Sequence, residues 1–119
     1  MHNRRLHQQI LAIAESDNAT ERCRHNGTDF LRGKCIHCNK PLAIALDGKP
    51  LGDVTVEHII PKCHGGDDSL DNTALACGPC NHQKGYRIDH LRKDDPRFIK
   101  TVTALRAKRR ARLRVEAEA

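Results

Sequence analysis

The sequence predicts a small α+β domain, and three observations carry that expectation. Two short stretches rich in β-branched and apolar residues, "DVTVEHII" over residues 53–60 and "TALAC" over residues 73–77, flank a polar loop. A Gly-Pro step at Gly78-Pro79 opens a stretch that reads as helix. Apolar residues recur at helical spacing toward both ends of the chain. At 119 residues there is room for one domain with helical extensions. With 3% aromatic residues and no Trp its core must be thin. Domains of that kind are commonly stapled by a metal ion or by disulfides.

Leu6, Ile10 and Ile13 share one helical face, so residues 4–15 form an amphipathic helix. The mixed stretch that follows, "TERCRHNGTDFLRGK", reads as a short helix and then a loop into Cys35. Asp47-Gly48, flanked by apolar residues, marks a turn. The strand over residues 53–60 ends at Pro61. "KCHGGDDSLDN" is loop, because Gly65-Gly66 and three Asp cannot build a core. After the second strand, Pro79 suits the first turn of a helix running to about Lys93. Gly85 inside that helix costs about 1 kcal/mol relative to Ala. Asp95-Pro96 is the N-cap and first-turn pair of a last helix, with Phe98, Val102 and Leu105 on its apolar side. It leads into the basic run "RAKRRARLR" and then "VEAEA". The chain thus divides into an N-terminal helical extension (residues 1–32), a central core (33–93) and a basic C-terminal helix or tail (94–119). No internal repeat is visible.

The charge balance is basic: 21 Lys+Arg against 15 Asp+Glu, a net charge of +6 and a pI near 9.2. That favours a polyanionic partner, nucleic acid first. No segment has the length of a transmembrane helix, and the apolar run near the N-terminus is too short and interrupted for a signal peptide. A cytoplasmic location is expected, where the six Cys serve as thiols or metal ligands rather than disulfides.

Cys35-x-x-Cys38 and Cys77-x-x-Cys80 form two knuckles. A two-residue spacer lets both sulfurs of a knuckle meet one ion, and two knuckles supply the tetrahedral thiolates that suit Zn²⁺. Four thiolates leave no open position, so this zinc is structural and adds folding free energy that a thin core lacks. His37, inside the first knuckle, is an alternative donor; four thiolates is the simpler set. Cys23 and Cys63 are left over and read as ordinary thiols.

Between the knuckles stand residues suited to hydrolysis. His58 is a candidate base, since imidazole titrates near neutral pH. Glu57 offers an anionic oxygen to a divalent cation, and Asn81 a neutral one from the first turn of the helix after Cys80. One or two protein oxygens with waters and substrate phosphates are how Mg²⁺ is commonly held. Neighbours in a regular strand point to opposite faces, so Glu57 and His58 share a site only if the strand ends, twists or bulges there.

Taken together, "VEHIIP", "GG", "LDN" and "CGPCNHQKG" resemble the motif of the HNH endonucleases in their four-cysteine zinc form. The resemblance covers residues 35–85. It implies a ββα-metal (His-Me finger) fold, a hairpin packed on a helix around a catalytic Mg²⁺ or Mn²⁺, and hydrolysis of DNA phosphodiesters. On that resemblance His58 is the general base and Asn72 holds the loop and orients the His. Glu57, where the family more often has Asp, and Asn81 hold the catalytic ion. His82 sits one residue late, a rotation of about 100° on a helix. Lys84, one turn after Asn81, is a candidate phosphate contact, and Lys108, Arg109, Arg110 and Arg112 form a candidate clamp on the backbone of double-stranded DNA. With no base-reading module in the sequence, a protein partner is the expected source of target choice. Small stand-alone members of the family resemble phage packaging, mobile-element and restriction nucleases alike. The competing reading is a non-catalytic zinc-binding module for DNA or RNA.

Overall fold

The computed structural model describes residues 3–115; the outermost parts of the two end segments, residues 1–2 and 116–119, lie outside the described residues. In chain order it contains α1 (Arg4–Ser16), β1 (Glu21–His25), β2 (Thr28–Lys34), β3 (Pro41–Ala45), β4 (Thr55–His58) and a 3-10 turn (Lys62–His64). Then come β5 (Thr73–Ala76), α2 (Gly78–Lys84) running on into a π turn (Gly85–Asp89), and α3 (Pro96–Arg112). All strand pairs are antiparallel: a three-stranded sheet in the order β1-β2-β3, and a separate β4–β5 hairpin.

α1 forms where the apolar spacing places it, burying Ile10, Ile13 and Ala14 and leaving Leu6 exposed at its start. The stretch after it is a correction: β1 and β2 make a hairpin, not a short helix and a loop. Its turn is Asn26-Gly27, with φ of 51° and 79°. These are the left-handed conformations a two-residue hairpin turn requires, and Asn and Gly adopt them at low cost. The Asn-Gly step was its sequence signal. The flanking charges, Arg22, Arg24, Asp29 and Arg32, mask the alternation that would have supported it.

β4 occupies the middle of the expected strand, and its register with β5 runs from Thr55↔Ala76 to His58↔Thr73. All four β5 residues are buried, so this strand is covered on both faces. α2 follows directly, with Pro79 in its first turn, and packs on β4. A hairpin followed by a helix laid across it is the expected ββα arrangement, flanked here by helices at both ends of the chain. α3 starts as the Asp95-Pro96 step predicts: the Asp95 side chain accepts from the Arg97 N–H at 2.8 Å.

One core runs through all three segments of the chain, joining Ile10 and Ile13 to Ile36, Ile59 and Leu75, and these to Phe98, Val102 and Leu105. The end segments are also fastened to each other. Asn18 N–H donates to Arg112 O at 2.6 Å, and Arg114 N–H to Ser16 O at 2.7 Å. Arg109 completes the joint and is 0% exposed. Its guanidinium reaches the carbonyls of Thr73 (2.7 Å) and Leu70 (3.1 Å), the Ser16 hydroxyl (2.7 Å) and the Asp17 carboxylate (3.3 Å). Among the described residues, no helix is long and apolar enough to cross a membrane.

Candidate active site and metal centre

The Cys35–Cys38 and Cys77–Cys80 knuckles come together at the start of α2. Their four sulfurs lie within 4.8 Å of one another, and Cys35 Sγ is 3.8 Å from Cys77 Sγ. A tetrahedron of thiolates around Zn²⁺, with Zn–S of about 2.3 Å, has edges of about 3.8 Å. The cluster therefore has the size and donor set that suit zinc. Backbone N–H groups of His37 and Cys77 both point at Cys35 Sγ at 3.4 Å. Burial pushes the Cys35 thiol up, but N–H groups of Cys38, Cys77 and His37 outweigh it and bring the thiol down to about 7. Burial, then the thiols of Cys77 and Cys38, push Cys80 up to about 12. Four such sulfurs become thiolates together only around a cation. His37, the alternative donor, turns away from the cluster and hydrogen-bonds Glu57.

Asn72 holds the loop between β4 and β5. Its side-chain oxygen accepts from Ile60 N–H (2.8 Å), and its amide donates to the carbonyls of Ile60 (3.0 Å) and Asp67 (2.9 Å). The glycine pair makes this closure possible. Gly65 has φ of 89°, and a Cβ on Gly66 would lie 1.6 Å from Ile60 O. The loop so held presents Asp68 to His58, with Asp68 Oδ1 2.7 Å from His58 Nε2. Lys62 Nζ (3.3 Å) and Gln9 Nε2 (3.2 Å) also bond Asp68. Hydrogen bonds from His58 and Lys62 hold the Asp68 carboxyl below the usual carboxylate range, so it is an acceptor. Nε2 of His58 then carries the proton, and in the neutral ring Nδ1 keeps its lone pair. The His58 side chain is 23% exposed. Asp68 also lines a cleft of about 390 Å³ with Arg5 and Gln9.

Glu57 points to the other face of the hairpin, as the strand alternation requires. Its carboxylate is 1% exposed; Oε1 is 2.6 Å from His37 Nε2 and Oε2 is 3.0 Å from Lys84 Nζ. Lys84, one turn after Asn81, is buried rather than free to meet a phosphate. All three of its N–H bonds are used: on Glu57, on Asp89 Oδ1 at 2.6 Å and on the His58 carbonyl at 3.0 Å. Burial raises the Asp89 carboxyl despite that ammonium. Asn81 spends its amide N–H bonds tying α2 to β4, on Thr55 Oγ1 and Val56 O, each at 3.0 Å. Glu57 and Asn81 thus lie on the α2 side of β4 while the His58 ring lies on the other. A divalent cation on Glu57 does not fit this arrangement, because the Lys84 ammonium and the His37 ring already take both carboxylate oxygens.

The residues of the expected DNA clamp mostly make contacts within the chain, Arg109 in the interior and the others at the surface. Arg109 is internal, its guanidinium held by Asp17 and backbone carbonyls. Arg110 and Arg106 both pair with Asp71, at 3.1 Å and 3.3 Å. Arg112 bonds Asn39 and the Lys34 carbonyl, and Lys108 reaches the His37 carbonyl at 3.4 Å. Helical periodicity alone pointed to this split, since Val102, Leu105 and Arg109 follow one another at spacings of three and four. Of the remaining residues, His82 is exposed and Cys63 Sγ lies 3.9 Å from Asp89 O. His64 pins the loop to the end of the π turn through Asp89 O and Leu91 O and packs edge-on against Phe98. Sequence reasoning missed Asp68 and His37 as partners. For Asp68 the signal was an acid just after Gly-Gly in a loop already tied to the His; for His37 there was none beyond its place in a knuckle.

Residues 35–87 match the HNH endonucleases, a span that takes in both knuckles, β3 to β5, α2 and the first part of the π turn. No curated protein and no solved structure matches the chain. The motif residues, the four-sulfur cluster and the ββα unit all fall inside that span, so over residues 35–87 the chain is similar to the HNH endonucleases.

Proposed function

We propose that this protein is a DNA endonuclease that hydrolyses phosphodiester bonds of double-stranded DNA with His58 as general base. The observation that carries the reading is the His58–Asp68 pair, 2.7 Å apart and partly open to solvent, inside an HNH-family segment. Water attacks phosphorus in line while Nδ1 of His58 takes its proton. Asp68 holds the Nε2–H, fixes the ring and stabilises the imidazolium that forms. Asn72 acts one step back, by holding the loop that carries Asp68. The P–O bond to the 3′ oxygen breaks, that oxygen takes a proton from solvent, and the products carry 5′-phosphate and 3′-hydroxyl. Arg5 in the adjoining cleft is placed to meet a phosphate oxygen. The four thiolates hold Zn²⁺, which fastens α2 to the first knuckle and takes no part in the chemistry. Mg²⁺ or Mn²⁺ would offset charge on the phosphate and leaving oxygen, but the Glu57 carboxylate, with His37 and Lys84 on its two oxygens, does not seat it as arranged. The enzyme would act in the cytoplasm, with target choice supplied by a protein partner.

Plasmid nicking by zinc-loaded protein, with and without Mg²⁺ or Mn²⁺, tests this. His58→Ala should abolish cutting while zinc content and DNA affinity stay near normal; cutting that persists assigns the base wrongly. One observation favours a second reading, a non-catalytic zinc-binding nucleic-acid module: Lys84 stands against Glu57 where the family's cation is expected. DNA binding with no cutting under any divalent metal would favour that module.

A further inference from the structure

The cations that charge counting nominated for DNA are mostly occupied, so the free ones must be sought elsewhere. Two adjoining hollows, of about 750 Å³ and 220 Å³, share His37, Arg87, Ile88 and Thr101 and form one groove between the π turn and α3. Its walls carry Arg87, Arg97 and Lys100, and its inner end reaches Lys84 and Cys80 beside the metal centre. No carboxylate lines it among the described residues. Arg97 is shared with Asp95 at 2.9 Å, whereas Arg87 and Lys100 are exposed and have no ion-pair partner among the described residues. Ile88, Ala104 and Leu105 give the groove an apolar floor, and Thr101 adds a hydroxyl.

We propose that this groove seats the sugar–phosphate backbone of DNA, with Arg87 and Lys100 as its phosphate contacts. The inference deepens the nuclease reading and rests on it for the choice of DNA. A channel with cations on both walls and an apolar floor matches a strand whose phosphates face outward and whose sugars are less polar. One wall is α3, outside the segment that matches the family, so the groove is built by this chain's own C-terminal helix. It lies on the α2 side of β4, away from the His58 ring. It therefore grips backbone that flanks the scissile bond, and its residues position the substrate without touching the reacting atoms.

The test compares full-length zinc-loaded wild type with Arg87→Gln/Lys100→Gln. Binding of a fluorescein-labelled 20-base-pair DNA duplex is measured by anisotropy in buffer without divalent metal, so nothing is cut. The double variant should bind about tenfold more weakly, and the slope of log K against log salt should fall by about two. Arg22→Gln/Arg24→Gln, on exposed β1, serves as control and should stay within about twofold of wild type. In plasmid nicking the groove variant should raise KM and leave kcat within about twofold. Equal losses in both double variants, or an unchanged salt slope, would overturn the proposal. So would an RNA duplex that binds tighter than DNA and depends on the same two residues. Binding that depends on them without any cutting would retain the groove and remove the nuclease reading; cutting with an unchanged KM would do the reverse. Zinc content and circular dichroism show whether each variant is folded.

Discussion

Replacing Lys84 by Met removes one charge from a buried ionic cluster beneath the β4–β5 hairpin. The Lys84 side chain is 2% exposed, Glu57 1% and Asp89 20%. Methionine keeps most of the aliphatic length, so packing changes little and the effect is electrostatic. Two carboxylates and the His58 carbonyl lose their shared donor at once. Removing one partner of a buried ion pair costs about 3–5 kcal/mol. The exposed side of Asp89 places the expected loss at the lower end, about 3–4 kcal/mol. For a domain of this length that lowers the melting temperature by roughly 12–16 °C. The substitution also leaves three oxygens facing one spot without a cation, a donor set that suits a hard divalent ion. If that spot holds Mn²⁺ with a Kd of about 10 µM, 1 mM Mn²⁺ restores about 2.7 kcal/mol. Melting curves of zinc-loaded wild type and variant, with and without Mn²⁺, give both quantities, and Mn²⁺ paramagnetic resonance counts bound ions. A loss below about 1 kcal/mol would show that the cluster is not held by Lys84. Wild type gaining as much from Mn²⁺ as the variant would refute the idea that the ammonium occupies the cation's place.

Arg109→Met should cost about 3–5 kcal/mol by leaving Asp17 and the Thr73 carbonyl unpaired, while DNA affinity of the folded fraction stays unchanged by anisotropy at low temperature. Asp68→Asn should lower the nicking rate by about 10–100-fold with zinc content and DNA binding intact; an unchanged rate would remove Asp68 from the mechanism. Stripping zinc with a strong chelator, or Cys77→Ser, should abolish the cooperative melting transition seen by circular dichroism. The Asp71 carboxyl is held low, chiefly by its hydrogen bond from Arg110. Its share of stability is therefore present above the ordinary aspartate value of about 3.9, and is lost as pH falls through the lowered folded value. Asp71→Asn should flatten the acid limb of the stability profile measured by urea melts between pH 2 and 6.

Local signals with a single physical meaning carried over from sequence to structure. The paired Cys-x-x-Cys steps, the strand that stops before Pro61, the Gly-Pro opening of α2 and the Asp95 cap each constrain their own few residues. The β1–β2 hairpin was hidden because its one strong signal, Asn26-Gly27, sits among charges that blur the period of two. The strand alternation at Glu57 and His58 was legible and proved decisive, since it sends the two side chains to opposite faces. Which cation meets Glu57 was not legible: Lys84 reaches it only because α2 crosses β4, a tertiary fact that spacing along the chain does not carry. Charge counting misled at Arg109 for a different reason: a guanidinium in a basic run counts the same whether it faces water or a ring of carbonyls, and only its helical spacing from Val102 and Leu105 marks the buried face.

The joint around Arg109 bears on how the molecule is made. On the ribosome both knuckles emerge first, so the thiolates can capture their metal while the Thr73 and Leu70 carbonyls and Asp17 still await a guanidinium encoded some thirty positions downstream of Cys80. Metal loading and final closure would thereby be separated in time, and the segment similar to the HNH endonucleases stays incompletely packed until translation has passed well beyond it.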